Sequence, residues 1–129
     1  DWYEQVKVHT GGKGVDVVLE MVGGDIFTKS LQLLGNFGRL VIYGRAGMEK
    51  SSLDPAILMQ RNTSIIGFWL VRILQRPALY RESLSEMLRF IENGELKVII
   101  GETFKLQDAA VAQEKMESRK TTGKVVLIP

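Results

Sequence analysis

The sequence predicts an α/β fold with a mostly parallel sheet, and three observations carry that prediction. Short, nearly continuous apolar runs recur along the 129 residues, as in Val15-Asp16-Val17-Val18-Leu19 and Leu40-Val41-Ile42-Tyr43. Strands buried on both faces of a parallel sheet have this composition, whereas half-solvated antiparallel strands alternate. Segments of helical periodicity separate the runs, the order expected when crossover helices join parallel strands. Finally, glycines follow or interrupt three of the strands, at Gly23-Gly24, Gly44 and Gly67.

The elements follow in order. Trp2 to His9 suits a short helix closed by Thr10-Gly11-Gly12-Lys13-Gly14, and Val15 to Leu19 is the first strand. Asp25 is placed to cap a helix whose stripe is Phe27, Leu31 and Leu34, with Gly35 at the left-handed position beyond its end. Gly38 to Tyr43 is the second strand. A small helix from Pro55 to about Arg61 leads to a third strand, Thr63 to about Leu70, interrupted by Gly67. Pro77 fits the first turn of a longer helix in which Tyr80, Leu84, Met87, Leu88 and Ile91 make a core-facing stripe, stopped at Asn93-Gly94. A strand at Lys97 to Ile100, an Ala-rich helix from about Asp108 to Ser118 and a last strand at Lys124 to Ile128 complete the chain.

Composition narrows the function classes. With 45% hydrophobic and 25% charged residues the chain is an ordinary globular sequence. Its 17 Lys and Arg against 15 Asp and Glu, without like-charged runs, argue for a mixed solvated surface and against nucleic acid as a partner. No membrane span and no signal segment are read. The absence of cysteine excludes a disulfide scaffold, a thiolate zinc site and a cysteine nucleophile, and suits a cytoplasmic location. His9, the single histidine, has no acidic neighbour at ligand spacing, so no metal is expected. Asp16 and Glu20 share a strand without forming an argued acid/base pair, and no catalytic side chain is assigned.

A doubly wound sheet binds ligands at the carboxyl ends of its strands, so the residues to inspect are Val22-Gly23-Gly24, Gly44-Arg45-Ala46-Gly47 and Gly67-Phe68-Trp69. There is no G-x-G-x-x-G, and Gly11-Gly12-Lys13-Gly14 precedes a strand instead of joining a strand to a helix. The chain carries strand ends suited to a nucleotide but no phosphate loop.

Four blocks extend that reading: T-G-G-K-G-V-D-V-V-L-E-M-V-G-G, G-R-L-V-I-Y-G-R-A-G, N-T-S-I-I-G-F-W-L and E-S-R-K-T-T-G-K-V-V-L-I-P. In this order the chain resembles the C-terminal part of medium-chain dehydrogenase/reductases, in the zinc-independent NADPH:quinone oxidoreductase branch that includes zeta-crystallin. The resemblance implies that the fold is the C-terminal half of a doubly wound, Rossmann-like sheet, a fragment of a larger enzyme. Position 1 is Asp, and a phosphate loop and substrate domain of roughly 200 residues are expected before it. Residues 1–70 would then be half of the dinucleotide-binding domain. Residues 71–129 would be a closing helix-strand-helix-strand segment that packs on the catalytic domain.

The resemblance also implies residue roles. Val22 and Gly23 would lie along the nicotinamide ribose, Tyr43, Gly44 and Arg45 beside the cofactor, and Gly67, Phe68 and Trp69 around the nicotinamide pocket. Family members often carry a small or amide residue at the position of Arg45. Arg119, in S-R-x-x-x-G-K, matches a basic position that reaches the cofactor. Plain alternatives stand beside these roles: Tyr43 and Phe68 as core aromatics, and Arg119 as a complement to a helix dipole.

The implied parent activity is NADPH-dependent reduction of a quinone or conjugated carbonyl, with NADH not excluded and no metal. The chain alone is expected to be inactive. An unpaired edge at Val15 to Leu19, and family members that pair the Thr63 to Leu70 strand across a dimer, imply a homodimer or other self-association. The alternatives are a zinc alcohol dehydrogenase, an alkene reductase, or a stand-alone α/β binding module.

Overall fold

The computed structural model describes all 129 residues, Asp1–Pro129, and divides into two compact units, Asp1–Arg76 and Pro77–Pro129.

In the first unit, helix α1 (Trp2–His9) begins where the Asp1 carboxylate accepts the Tyr3 N–H at 3.1 Å. Strand β1 (Val15–Glu20) leads to α2 (Gly24–Gln32), β2 (Leu34–Ile42), α3 (Ala56–Arg61), β3 (Ser64–Gly67) and α4 (Leu70–Leu74). The strands form one parallel sheet in the order β1-β2-β3. Val18, Leu40 and Ile65 share one register row, as do Leu19, Val41 and Ile66 in the next. Neighbours in a parallel row point to the same face. The first row packs under Phe27 and Leu31 of α2, together with Leu34, so that Leu34 and Leu40 are fully buried. The second row points to the opposite face, where Leu19 remains 68% exposed. Unbroken apolar runs led to an expectation of cover on both faces; within this unit α2 and α3 cover one.

Besides the start of β2 at Leu34 instead of Gly38, which moves Leu34 from the helical stripe to the strand, three details depart from expectation. Gly23, not Asp25, is the N-cap of α2; Asp25 lies in the first helical turn. Gly35 is not left-handed. The left-handed residue is Phe37, at φ 61°, inside an irregularity of β2 where the three residues Val15 to Val17 of β1 span the same stretch as the six residues Leu34 to Arg39 of β2. Gly35 answers a different demand: a Cβ there would meet the Lys13 carbonyl oxygen at 2.8 Å, so only glycine permits the two chains to close. Third, β3 ends at Gly67, and Leu70 belongs to α4 instead.

In the second unit, α5 (Pro77–Glu92) is followed by β4 (Ile100–Lys105), a short 3-10 turn at Leu106–Asp108, α6 (Ala109–Glu117) and β5 (Lys124–Ile128). β4 and β5 pair in parallel, and α6 packs on both, with Ala112 buried. Gly94 ends α5 at φ 74° as its turn requires. The stripe of α5, however, is not core: none of its residues is buried, and Met87, Leu88 and Ile91 are exposed. The fourth strand also runs later than its apolar residues suggested, over Ile100–Lys105 instead of Lys97 to Ile100.

Candidate cofactor site

The three strands of the first unit end in step: Glu20, Ile42 and Gly67 share the last row of the sheet. Beyond it the ladder continues by one bond on each side, Tyr43 N–H to the Glu20 carbonyl at 3.0 Å and Phe68 N–H to the Ile42 carbonyl at 2.8 Å. These bonds fix where Tyr43 and Phe68 leave the sheet. Around the ends of β2 and β3 lies an open recess of about 1430 Å3, lined by Tyr43, Gly44, Arg45, Gly67, Phe68 and Trp69, with α4 and its flank beside them.

The floor and the rim of this recess differ in kind. A Cβ at Gly67 would meet nothing within 4 Å, so the main chain there is open to close approach. At Gly44 a Cβ would press on Met21 at 3.1 Å, and that glycine serves packing between the ends of β1 and β2. Tyr43, Phe68 and Trp69 are all exposed, Trp69 at 64%. Neither Tyr43 nor Phe68 belongs to the core cluster of this unit. The Arg72 guanidinium lies 5.7 Å from the Trp69 ring centroid, a cation–π spacing, and donates to Gln75 Oε1 at 3.1 Å.

Val22 and Gly23 sit beside the recess rather than on its wall. The 45–51 loop closes over them: Ala46 N–H donates to the Met21 carbonyl at 2.7 Å, Gly47 N–H to the Val22 carbonyl at 2.8 Å, and Gly24 N–H to Ser51 Oγ at 3.1 Å. A Cβ at Gly23, which holds φ 89°, would meet the Arg45 Cγ at 3.3 Å, so the arginine stem lies across this turn. The residue that holds the turn is Glu20, which the sequence set beside Asp16 without a role. It is 3% exposed, and its Oε1 accepts from Val22 N–H at 2.7 Å and Gly23 N–H at 2.9 Å. A carboxylate closing an apolar strand two residues before Val-Gly-Gly was the available signal, since such a group can satisfy the N–H groups that a glycine turn leaves free.

Arg119 belongs to the second unit, just past α6. It takes the left-handed conformation, φ 56°, and its N–H donates to the Met116 carbonyl at 3.0 Å, so it terminates the helix as glycine commonly does. The structure therefore gathers six of the nine named residues in one recess, places Val22 and Gly23 next to it under a loop, and sets Arg119 in a helix terminus of the other unit.

A second hollow, of about 380 Å3, lies at the amino ends of the same strands and includes Lys7 and Arg61. Both cations have partners: Lys7 pairs with Glu4 at 3.3 Å, and Arg61 Nη1 donates to the Leu34 carbonyl at 2.6 Å. Arg61 ties the end of α3 to β2, whereas the Lys7–Glu4 pair lies within α1.

Comparison with known proteins is consistent with this geometry. The family model described as zinc-binding dehydrogenase matches residues 2–127. Quinone oxidoreductase-like protein 2 of Bos taurus is 38% identical over 125 residues, covering 96% of this chain and 36% of that protein. A quinone oxidoreductase of Pseudomonas syringae superposes with a TM-score of 0.84 at 31% identity, over 100% of this chain and 40% of that one. A mycobacterial protein solved as a complex with NADPH gives a TM-score of 0.85 at 29% identity, over 99% and 40%. The CurK enoyl reductase gives 0.78 at 30% identity, over 100% and 39%. The chain thus spans well under half the length of these relatives.

The family description names zinc. This chain has no cysteine and one histidine, no three His, Asp or Glu side chains converge, and His9 Nδ1 sits 2.8 Å from the Gln5 carbonyl. Its own residues do not fit a zinc centre. By the extent of the family match, the parallel Rossmann-like sheet and its identity to quinone oxidoreductase-like relatives, the chain belongs to the zinc-binding dehydrogenase family of medium-chain dehydrogenase/reductases, in the quinone oxidoreductase-like branch.

Proposed function

We propose that this chain forms one wall of an NADPH site in an oxidoreductase that reduces a quinone or related conjugated carbonyl. The observation that carries the reading is the pair of adjacent parallel strands, β2 and β3, whose ends open together on a recess lined by aromatic residues, with the Gly67 main chain uncovered. Support comes from the NADPH-bound neighbour and from the quinone oxidoreductases among the similar structures.

When bound, the nicotinamide supplies hydride. The work of this chain is positional. Gly67 admits a flat ring close to the backbone, and Gly44 lets the ends of β1 and β2 draw together beneath it. Tyr43, Phe68 and Trp69 exclude water and present flat apolar surfaces, while Glu20 and the 45–51 loop hold the Val22-Gly23 turn at one side. No side chain here moves a proton. Reduction of an activated alkene is a second reading of the same wall, favoured by the likeness to the CurK enoyl reductase.

The chain has no phosphate loop, so the helix N-terminus that anchors a pyrophosphate is not supplied by these residues. The isolated 129-residue polypeptide is therefore expected to bind NADPH weakly and to oxidise none of it when a quinone is added. Absorbance at the NADPH band with and without quinone reads this directly. Steady turnover by the chain alone would overturn the assignment of a single wall. Gly67→Val should weaken what NADPH binding the chain retains while leaving its circular dichroism unchanged, because the new side chain fills open space.

A further inference from the structure

The recess carries a charge pattern that its proposed role in holding a nicotinamide does not require. Three arginines line it, Arg45 from the loop after β2, Arg72 from α4 and Arg76 just beyond, and no aspartate or glutamate lines it. The chain as a whole is nearly balanced, with 17 basic and 15 acidic residues, so three cations without an acid is a local excess. None of the three is ion-paired; the salt bridges of the chain join Lys7 to Glu4, Arg89 to Glu86 and Lys115 to Glu102. Arg72 is held in place by the Trp69 ring and by Gln75, through one of its nitrogens, and its other N–H groups make no hydrogen bond within the chain. A guanidinium fixed beside an exposed aromatic ring presents a planar surface and an oxyanion partner together.

Resting on the reading of this recess as the nicotinamide and acceptor wall, we propose that it selects an acceptor bearing an oxyanion next to its planar conjugated group. A neutral quinone gains only the apolar surface of Tyr43, Phe68 and Trp69. An acceptor with a carboxylate, sulfonate or phosphate gains, in addition, the field of three unpaired cations that line one concavity. The anion can belong to the acceptor itself or to a thiol carrier joined to it as a thioester; the chemistry recognised is the same.

The test uses the full chain with Trp2→Phe, so that Trp69 is the remaining indole, and follows its fluorescence during titration. The probes are 1,4-naphthoquinone-2-sulfonate, neutral 1,4-naphthoquinone, crotonyl coenzyme A and inorganic pyrophosphate, at low salt and again near ~0.5 M, where the screening length is only a few ångström. The sulfonate is expected to bind about tenfold more tightly than the neutral quinone at low salt, and the preference should fall at high salt. Arg72→Gln combined with Arg76→Gln should abolish the preference for the sulfonate over the neutral quinone, read as the ratio of the two affinities, because loss of the Arg72–Trp69 contact acts on both ligands alike. Tighter binding of crotonyl coenzyme A than of the sulfonate would support a carrier-borne anion, and the reverse an anion on the acceptor. Equal affinity for the two quinones overturns the charge selection while sparing the wall. Tightest binding by pyrophosphate overturns it as well, by assigning the arginines to a cofactor phosphate. If no quinone perturbs Trp69, the wall reading falls together with this one.

Discussion

Two residues carry more of this architecture than their types suggest. Glu20 is a buried carboxylate whose Oε1 serves two backbone N–H groups at the head of the Val22-Gly23 turn. Removing it leaves those donors without partners, and a buried unsatisfied donor costs about 1–3 kcal/mol. Glu20→Ala should therefore lower stability by about 2–4 kcal/mol, while Glu20→Gln, which keeps an acceptor oxygen, should cost clearly less. Urea unfolding with a third variant, Glu20→Leu, which keeps the volume without an acceptor, separates the two roles: hydrogen bonding expects a loss like that of Glu20→Ala, space filling a loss like that of Glu20→Gln. Arg119 poses the opposite case, an L-residue with a Cβ held in the left-handed region. Glycine relieves that strain, so Arg119→Gly should raise the unfolding midpoint by the equivalent of about 0.5–1 kcal/mol. A loss of stability would mean that the guanidinium holds something the helix terminus does not explain. The strain itself is consistent with selection for the side chain at this position.

At the scale of elements, burial and sequence pattern part company in a way that the physics explains. Leu40 is fully buried beneath α2, and Leu40→Ala should cost about 2–5 kcal/mol, whereas Leu88→Ala on the uncovered stripe of α5 should cost less than about 1 kcal/mol. Denaturant midpoints of the two variants read that contrast. Both leucines obey the periodicity of their elements, so pattern alone ranks them as equals: amphipathicity shows which face is apolar but not whether anything lies against it. The alternation of strand and helix, the bounds Trp2–His9 and Lys124–Ile128, and the parallel row through Leu40 and Ile65 were all legible. β4 was misplaced for a specific reason. Its inward position Glu102 is charged and meets Lys115 of α6, within a pair that also sets the ammonium 5.3 Å from the Phe104 ring. A charge on the inner face breaks the apolar run by which a buried strand is recognised, and the more apolar Val98-Ile99 just before it drew the assignment. The recess was legible in six of its lining residues because glycines and aromatics mark strand ends. Glu20, Arg72 and Arg76 were not, because the first acts through backbone N–H groups and the others through a fold-dependent clustering.

For the molecule as a whole, the sheet of the first unit raises a question of cover. Both β1 and β3 are edge strands of three, and an edge offers unpaired N–H and C=O groups to any other strand. Next to the β1 edge runs the row Leu19, Val41 and Ile66, of which Leu19 and Ile66 are exposed. An apolar row beside an open edge is a template for association, and natural edges usually avoid that combination with charge, proline or a twist. The chain is accordingly expected to self-associate, with a scattering mass that rises with concentration. Leu19→Lys places a charge on the uncovered face beside the edge and should lower that mass at every concentration. Because Leu19 is already two-thirds solvated in the folded chain, the substitution removes no core contact, and the helical and strand signals in circular dichroism should persist. A monodisperse monomer before the substitution would show that the row is not a template; collapse of the fold after it would show that Leu19 is core after all.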